Sequence, residues 1–155
     1  MSRAKKALIV GGGVAGPVAA MALRQAGIDS VVYEAYAGGA DDAGAFLTFA
    51  SNGLDALRTI EAHHLVLSEG FSTPRMTIQS GTGKHLGDVP NGGALPDGTV
   101  SQTLRRADLY RALRDEAVRR GTHIEYGKRL VDARLRPMGS SWRGSRTVPR
   151  PWETS

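Results

Sequence analysis

Gly11-Gly12-Gly13-Val14-Ala15-Gly16 places glycine at the first, third and sixth positions of a G-x-G-x-x-G pattern, and an acid, Glu34, follows eighteen residues after the last of them. Together these residue types suit one kind of chemistry. Gly11 permits a tight turn, Gly13 lets the backbone approach a pyrophosphate, and Gly16 lets a helix pack close to the strand before it. The backbone N–H groups of Val14 and Ala15 open that helix and add to its positive end, where an anion is stabilised. A carboxylate at Glu34 can accept hydrogen bonds from a ribose diol and disfavours a 2′-phosphate there. The pattern alone is weak in a chain with 20 glycines; its setting must supply the weight.

The setting is a strand, a helix and a second strand. Lys6 to Val10 is a short apolar run ending in glycines, as in a buried parallel strand. From Val14 to Ala26 the apolar residues Val14, Val18, Met21 and Ala22 fall at helical spacing, and Gly27 marks the stop. Pro17 lies in the first turn, where its missing N–H is tolerated. Ser30 to Glu34 is a second β-branched run, and the connection is long enough for a right-handed crossover between parallel strands.

Further along, Ala37 to Gly44 reads as a loop, Ala45 to Phe49 as a strand, Ser51 as an N-cap, and Gly53 to Ile60 as a helix with Leu54, Leu57 and Ile60 on one face. The alternation of Arg75 to Gln79, the glycines at 81 and 83, and Lys84 to Gly87 predict a β-hairpin, followed by a loop from Asn91 to Gly98. Arg106 to Arg120 carries Leu109, Leu113 and Ala117 on one helical face and closes at Gly121. Thr122 to Tyr126 then returns as another parallel strand, and Lys128 to Asp132 is expected to begin one more.

Composition narrows the classes. Hydrophobic residues at 41% and charged residues at 23% are ordinary for a globular domain. The net charge of +5 suggests nucleic acid until it is divided by region. Residues 1–132 hold 15 Lys+Arg against 14 Asp+Glu, whereas residues 133–155 hold five Arg against one Glu. The basicity belongs to that last segment, so nucleic acid is set aside. No cysteine is present, which excludes disulfides and thiolate sites and points to a cytoplasmic location. No apolar run reaches the ~18 residues of a membrane span. His63, His64, His85 and His123 lack the spacing of a metal site. Residues 133–155, with both tryptophans, four serines and three prolines, have neither helical nor strand periodicity.

The glycine pattern extends past the short motif to Ala20 and Gly27, a spacing that resembles the FAD fingerprint of the glutathione-reductase-type flavoproteins. More narrowly, three segments resemble the FAD-dependent monooxygenases of the para-hydroxybenzoate hydroxylase type: Gly44-Ala-Phe-Leu-Thr-Phe-Ala-Ser-Asn-Gly-Leu-Asp-Ala-Leu57, the Arg-x-x-Leu helix start Arg106-Ala-Asp-Leu109 running on to Leu113, and Gly121-Thr-His-Ile-Glu-Tyr-Gly127. The resemblance covers residues 4–132. It implies a three-layer, Rossmann-like FAD/NAD(P)-binding domain that is incomplete and carries a small β-hairpin excursion. It also implies FAD on Gly11, Gly13, Val14, Ala15, Gly16 and Glu34, with Arg106 beside the flavin. By position alone Arg106 is a solvated helix-start arginine, and Arg105 could exchange roles with it. Thr48 and Asn52 are weaker cofactor candidates.

The implied activity is NAD(P)H-dependent hydroxylation of an aromatic or polyketide-like small molecule by a flavin hydroperoxide. The family's basic residue shortly after the ribose acid is replaced here by Asp41 and Asp42. Its later Asp-Gly and Gly-Asp motifs and its substrate-covering sheet are not recognisable, so no catalytic residue is named and little activity is expected of this chain alone. The abrupt change near residue 132 is expected to mark a lost coding frame, with an evolved basic tail as the alternative. Two rival readings are an NAD-binding domain of a dehydrogenase and a truncated remnant that binds nothing.

Overall fold

A computed structural model of the protein describes residues 6–38 and 45–132. The acidic pair Asp41 and Asp42, most of the 37–44 loop and the whole 133–155 segment lie outside the described residues.

The parallel sheet consists of β1 (Lys6–Val10), β2 (Asp29–Tyr33) and β8 (His123–Glu125), in the order β1-β2-β8. Both pairings are parallel, with Leu8 opposite Val31 and Val31 opposite His123. The crossover from β1 is α1 (Ala15–Gln25), which ends where the sequence predicts, at Gly27 with φ +72°. The fold class read from the sequence, a mixed α/β Rossmann-like domain, holds, as does the assignment of the strand after Gly121 to the sheet of β1 and β2.

β3 (Phe46–Phe49) enters a second sheet instead, antiparallel, in the order β3-β7-β4. Its partners are β7 (Gln102–Arg105) and β4 (Phe71–Ser72). Between them come α2 (Ser51–Arg58) and α3 (His63–Glu69), and the expected hairpin appears as β5 (Arg75–Gln79) and β6 (His85–Pro90). α4 (Arg106–Arg119) leads through Gly121, φ +89°, into β8.

The main apolar cluster lies among the helices: Met21 of α1, Leu54 and Leu57 of α2, Val66 of α3, Leu104 of β7, and Leu109, Leu113 and Ala117 of α4. α1 is therefore clasped between the parallel sheet and α4, which in turn packs on β7 and α3. This clasp holds the glycine loop at the end of β1 against a solid base. On the other side of the edge strand β1, Leu8 and Val10 remain more than half exposed, at 60% and 57%.

Three local expectations are corrected. Ser51 is not the N-cap of α2: Ala50 occupies that position with extended backbone, no side chain caps the helix, and Ser51 is buried with its hydroxyl facing Gly92. No strand forms over Lys128 to Asp132, because the chain turns at Gly127, φ +67°, and the Lys128 N–H is spent on the Glu34 carbonyl at 2.8 Å. The predicted helix to Ile60 stops at Arg58, and Ile60 packs into the core from a turn.

Candidate functional site

The parallel sheet sets the site's position. β1 ends at Val10, and the ladder runs one bond further, from the Gly11 N–H to the Tyr33 carbonyl at 2.8 Å. Gly11 then reverses the chain with φ +96°, a conformation costly for any residue with a Cβ. At Gly16 the constraint is contact: an added Cβ would stand 2.0 Å from the Gly11 carbonyl oxygen, so the helix approaches the loop as only glycine allows. Gly13 differs, because its Cβ would meet nothing within 4 Å. The space beside it is open.

α1 begins here without help from any side chain. Val14 is its N-cap residue and makes no side-chain cap; its own side chain packs on the core, and no acid sits in the first turn. Ala15 follows, exposed, as the first helical residue. Amides at such an end, with the helix dipole behind them, favour an anion. Pro17 is buried in the first turn.

Glu34 stands just past β2 and is 7% exposed. Its carboxylate accepts the Gly12 N–H at 2.6 Å on Oε2 and the Tyr36 N–H at 2.9 Å on Oε1. Its backbone is fixed as firmly, donating to the Glu125 carbonyl and accepting from the Lys128 N–H, both at 2.8 Å. The acid is thus bound directly to the glycine loop while each oxygen keeps further acceptor capacity. Gly12 and Tyr36 are participants that sequence reasoning missed. Gly12 occupies a free position of the motif, and its only signal was being the middle of three glycines.

Arg106 is the first residue of α4. Because α1 and α4 each lead into a strand of the same parallel sheet, both helices begin at the carboxyl-end side, and Arg106 lies at the same end as the glycine loop. Its N–H donates to the Ala45 carbonyl at 3.0 Å, and its side chain is exposed with no ion-pair partner among the described residues. Arg105 is committed elsewhere, with Nε 2.7 Å and Nη2 3.2 Å from the Asp108 carboxylate, a pairing that raises its pKa. Of the two adjacent arginines, Arg105 is thus paired with Asp108 and Arg106 has no ion-pair partner among the described residues. Thr48 lies on the second sheet, its hydroxyl 3.1 Å from that of Thr103, and the Asn52 side chain accepts the Gly53 N–H.

At the opposite ends of α1 and α4 a hollow of about 360 Å³ is lined by Met21, Arg24, Gln25, Ile60, Glu61 and Arg120. Size does not make it the site. Arg120 is held by Glu116 and by the Ile60 and Glu61 carbonyls. Among the described residues no group of three or more His, Asp and Glu is arranged to hold a metal ion, and no helix is long and apolar enough to cross a membrane.

A glycine-shaped turn after the first strand, an uncapped helix start above it and a buried acid after the second strand define a dinucleotide-binding α/β domain. Residues 4–136 match the family described as FAD binding domain, and the chain belongs to it. It resembles 2-methyl-3-hydroxypyridine-5-carboxylic acid oxygenase in its tetrameric form, at 26% identity and TM-score 0.72, over 86% of this chain and 34% of that one. It also resembles Klebsiella pneumoniae HpxO complexed with FAD and uric acid, at 27% identity and TM-score 0.63, over 80% of this chain and 31% of that one. Tetracycline destructase Tet(51), at 16% identity and TM-score 0.61 over 86% and 33% of the two chains, shares the fold. No curated protein sequence matches. The chain is an FAD-binding domain of the kind flavin-dependent monooxygenases carry, and it spans about a third of the length of these solved chains.

Proposed function

We propose that this chain binds FAD with its pyrophosphate on Gly11, Gly13, Val14, Ala15 and Gly16, its adenosine ribose on Glu34, and its flavin side near Arg106. The observation that carries the reading is the joint between Glu34 and Gly12, which sets the ribose acceptor and the phosphate loop as one rigid unit beside the open space at Gly13. Gly16 keeps the helix dipole close, and Arg106 brings a permanent positive charge to the same end.

When bound, FAD supplies the redox chemistry and the activation of oxygen. The residues of this chain bind and orient. In a longer polypeptide the domain serves a cytoplasmic monooxygenase that takes NAD(P)H as reductant and hydroxylates an aromatic or polyketide-like small molecule. The oxygenase and uric-acid-bound relatives support that class of substrate. The 155-residue chain alone is expected to show no substrate-dependent consumption of NADPH.

The test is to mix the purified protein with FAD, desalt it, and read the retained flavin absorbance, with NAD in parallel. Retained FAD supports the reading. Retention of NAD alone would favour a dehydrogenase-type domain, and a folded protein that keeps neither is a remnant.

A further inference from the structure

The hollow at the far ends of α1 and α4 has no part in the dinucleotide site. Three helices end at it: Gln25 is the last residue of α1, Arg120 is the C-cap of α4, and Ile60 and Glu61 lie in the turn that follows α2. Among the described residues Glu61 alone, glycines apart, has a positive φ, +54°. Such a backbone is costly for a residue with a Cβ and persists only where its surroundings hold it. Arg120 does so here, donating to the Ile60 carbonyl at 2.5 Å and to the Glu61 carbonyl at 3.0 Å, while its Nε is held by Glu116 at 2.6 Å. Arg120 is spent on that turn. The Glu61 carboxylate and the Arg24 guanidinium line the same hollow and have no ion-pair partner among the described residues. A Cβ at Gly121 would stand 3.2 Å from both Nη atoms of Arg24, so that guanidinium lies against the glycine backbone. Met21 and Ile60 are buried and give the hollow an apolar floor.

We propose that this hollow is a second ligand site, for a small zwitterion with an aliphatic side chain: an α-amino acid of the leucine kind. The Glu61 carboxylate and the negative ends of the helices favour an ammonium group. Arg24 offers a carboxylate two parallel donors. The Met21 and Ile60 floor takes the alkyl group out of water. A simple anion would leave Glu61 without a partner, and a simple amine would leave Arg24 without one, so a molecule carrying both charges close together is the fit. At about 360 Å³ the hollow stands at the small end of ligand pockets, which run from roughly 300 to 1,000 Å³, and that suits an amino acid better than a nucleotide. The glycine loop lies at the other end of α1, so the two ligands do not compete for space.

Calorimetric titration of the native chain with L-leucine tests this, beside 4-methylpentanoic acid, which lacks the ammonium group, and leucine methyl ester, which lacks the carboxylate. Leucine is expected to bind with a Kd on the order of 1 mM or tighter, and each single-charge analogue at least about tenfold more weakly. Glu61→Gln should remove the preference for leucine over 4-methylpentanoic acid, and Arg24→Met the preference over the ester, each weakening leucine by about 5- to 10-fold. Melting temperatures without ligand should stay unchanged in both variants, which controls for folding. No saturable leucine binding by the native chain, equal binding of all three compounds, or full retention of leucine by both variants would overturn the proposal. The FAD reading is tested with a different ligand and stands or falls apart from it.

Discussion

The carboxylate of Glu34 accepts the backbone N–H of Gly12 at 2.6 Å, across 22 residues of sequence and in a buried setting. One side chain therefore fixes both the end of β2 and the shape of the phosphate loop. Replacing Glu34 by Ala leaves the Gly12 and Tyr36 amides unpaired and deletes the proposed ribose acceptor. The expected result is a loss of about 1–3 kcal/mol in stability with FAD retention reduced at least about tenfold. Glu34→Gln keeps one acceptor oxygen and should fall between. Thermal melts beside flavin retention check it; an unchanged FAD affinity in the alanine variant would remove Glu34 from the site.

Gly13 and Gly16 should respond in opposite ways to the same substitution. Gly16→Ala forces a Cβ to within 2.0 Å of a backbone oxygen that cannot yield, so a destabilisation of about 2 kcal/mol or more is expected even without cofactor. Gly13→Ala meets no neighbour, so the melting temperature of the unliganded protein should hold, within about 0.5 kcal/mol in stability, while FAD retention drops. Melting curves with and without FAD separate the two cases.

The adjacent arginines at the start of α4 give a third comparison. Arg106→Ala should weaken FAD by about 5- to 30-fold without altering the fold, since on the proposed reading it removes a cation from the flavin side. Arg105→Ala breaks an exposed pair with Asp108, for which less than about 1 kcal/mol of stability is expected and little change in FAD affinity. The reverse ranking would assign the flavin side to Arg105.

Glu116 predicts an acid-side loss of stability. Hydrogen bonds from Arg119, together with those from Arg120, hold its pKa at about 2, against an ordinary 4.5, although burial pushes the other way. A folded pKa below the unfolded one stabilises the native state above pH 4.5, and that contribution is lost as pH falls toward 2. Arg119 is 71% exposed and screened, so about 1–2 kcal/mol is at stake. Denaturant midpoints measured between pH 5 and 2.5 should fall in the native protein and flatten in Glu116→Gln.

The β1-α1-β2 unit was legible because its determinants are local: an apolar run, a helical period, glycines at fixed spacing and an acid at the strand's end. α4 was legible for the same reason, with Leu109, Leu113 and Ala117 on one stripe. β7 was not. Gln102-Thr-Leu-Arg105 offers one apolar residue, and Ser101 and Gln102 are buried only because α3, β3 and β4 close around them. α3 was missed because seven residues beginning with two histidines are too short to establish a period. The glycines and Glu34 could be named from spacing, but their direct bond could not, since it depends on where the carboxylate turns after the strand ends.

β2 is the middle strand of the parallel sheet, and its two neighbours reach it from very different distances. Lys6 pairs with Asp29, 23 positions away, whereas Val31 pairs with His123, 92 positions away. The first closure is cheap in chain entropy and the second is slow. On a ribosome, β1, α1 and β2 are therefore all made long before β8, and the cradle is completed only when α4 packs on α1 and β8 docks beside β2.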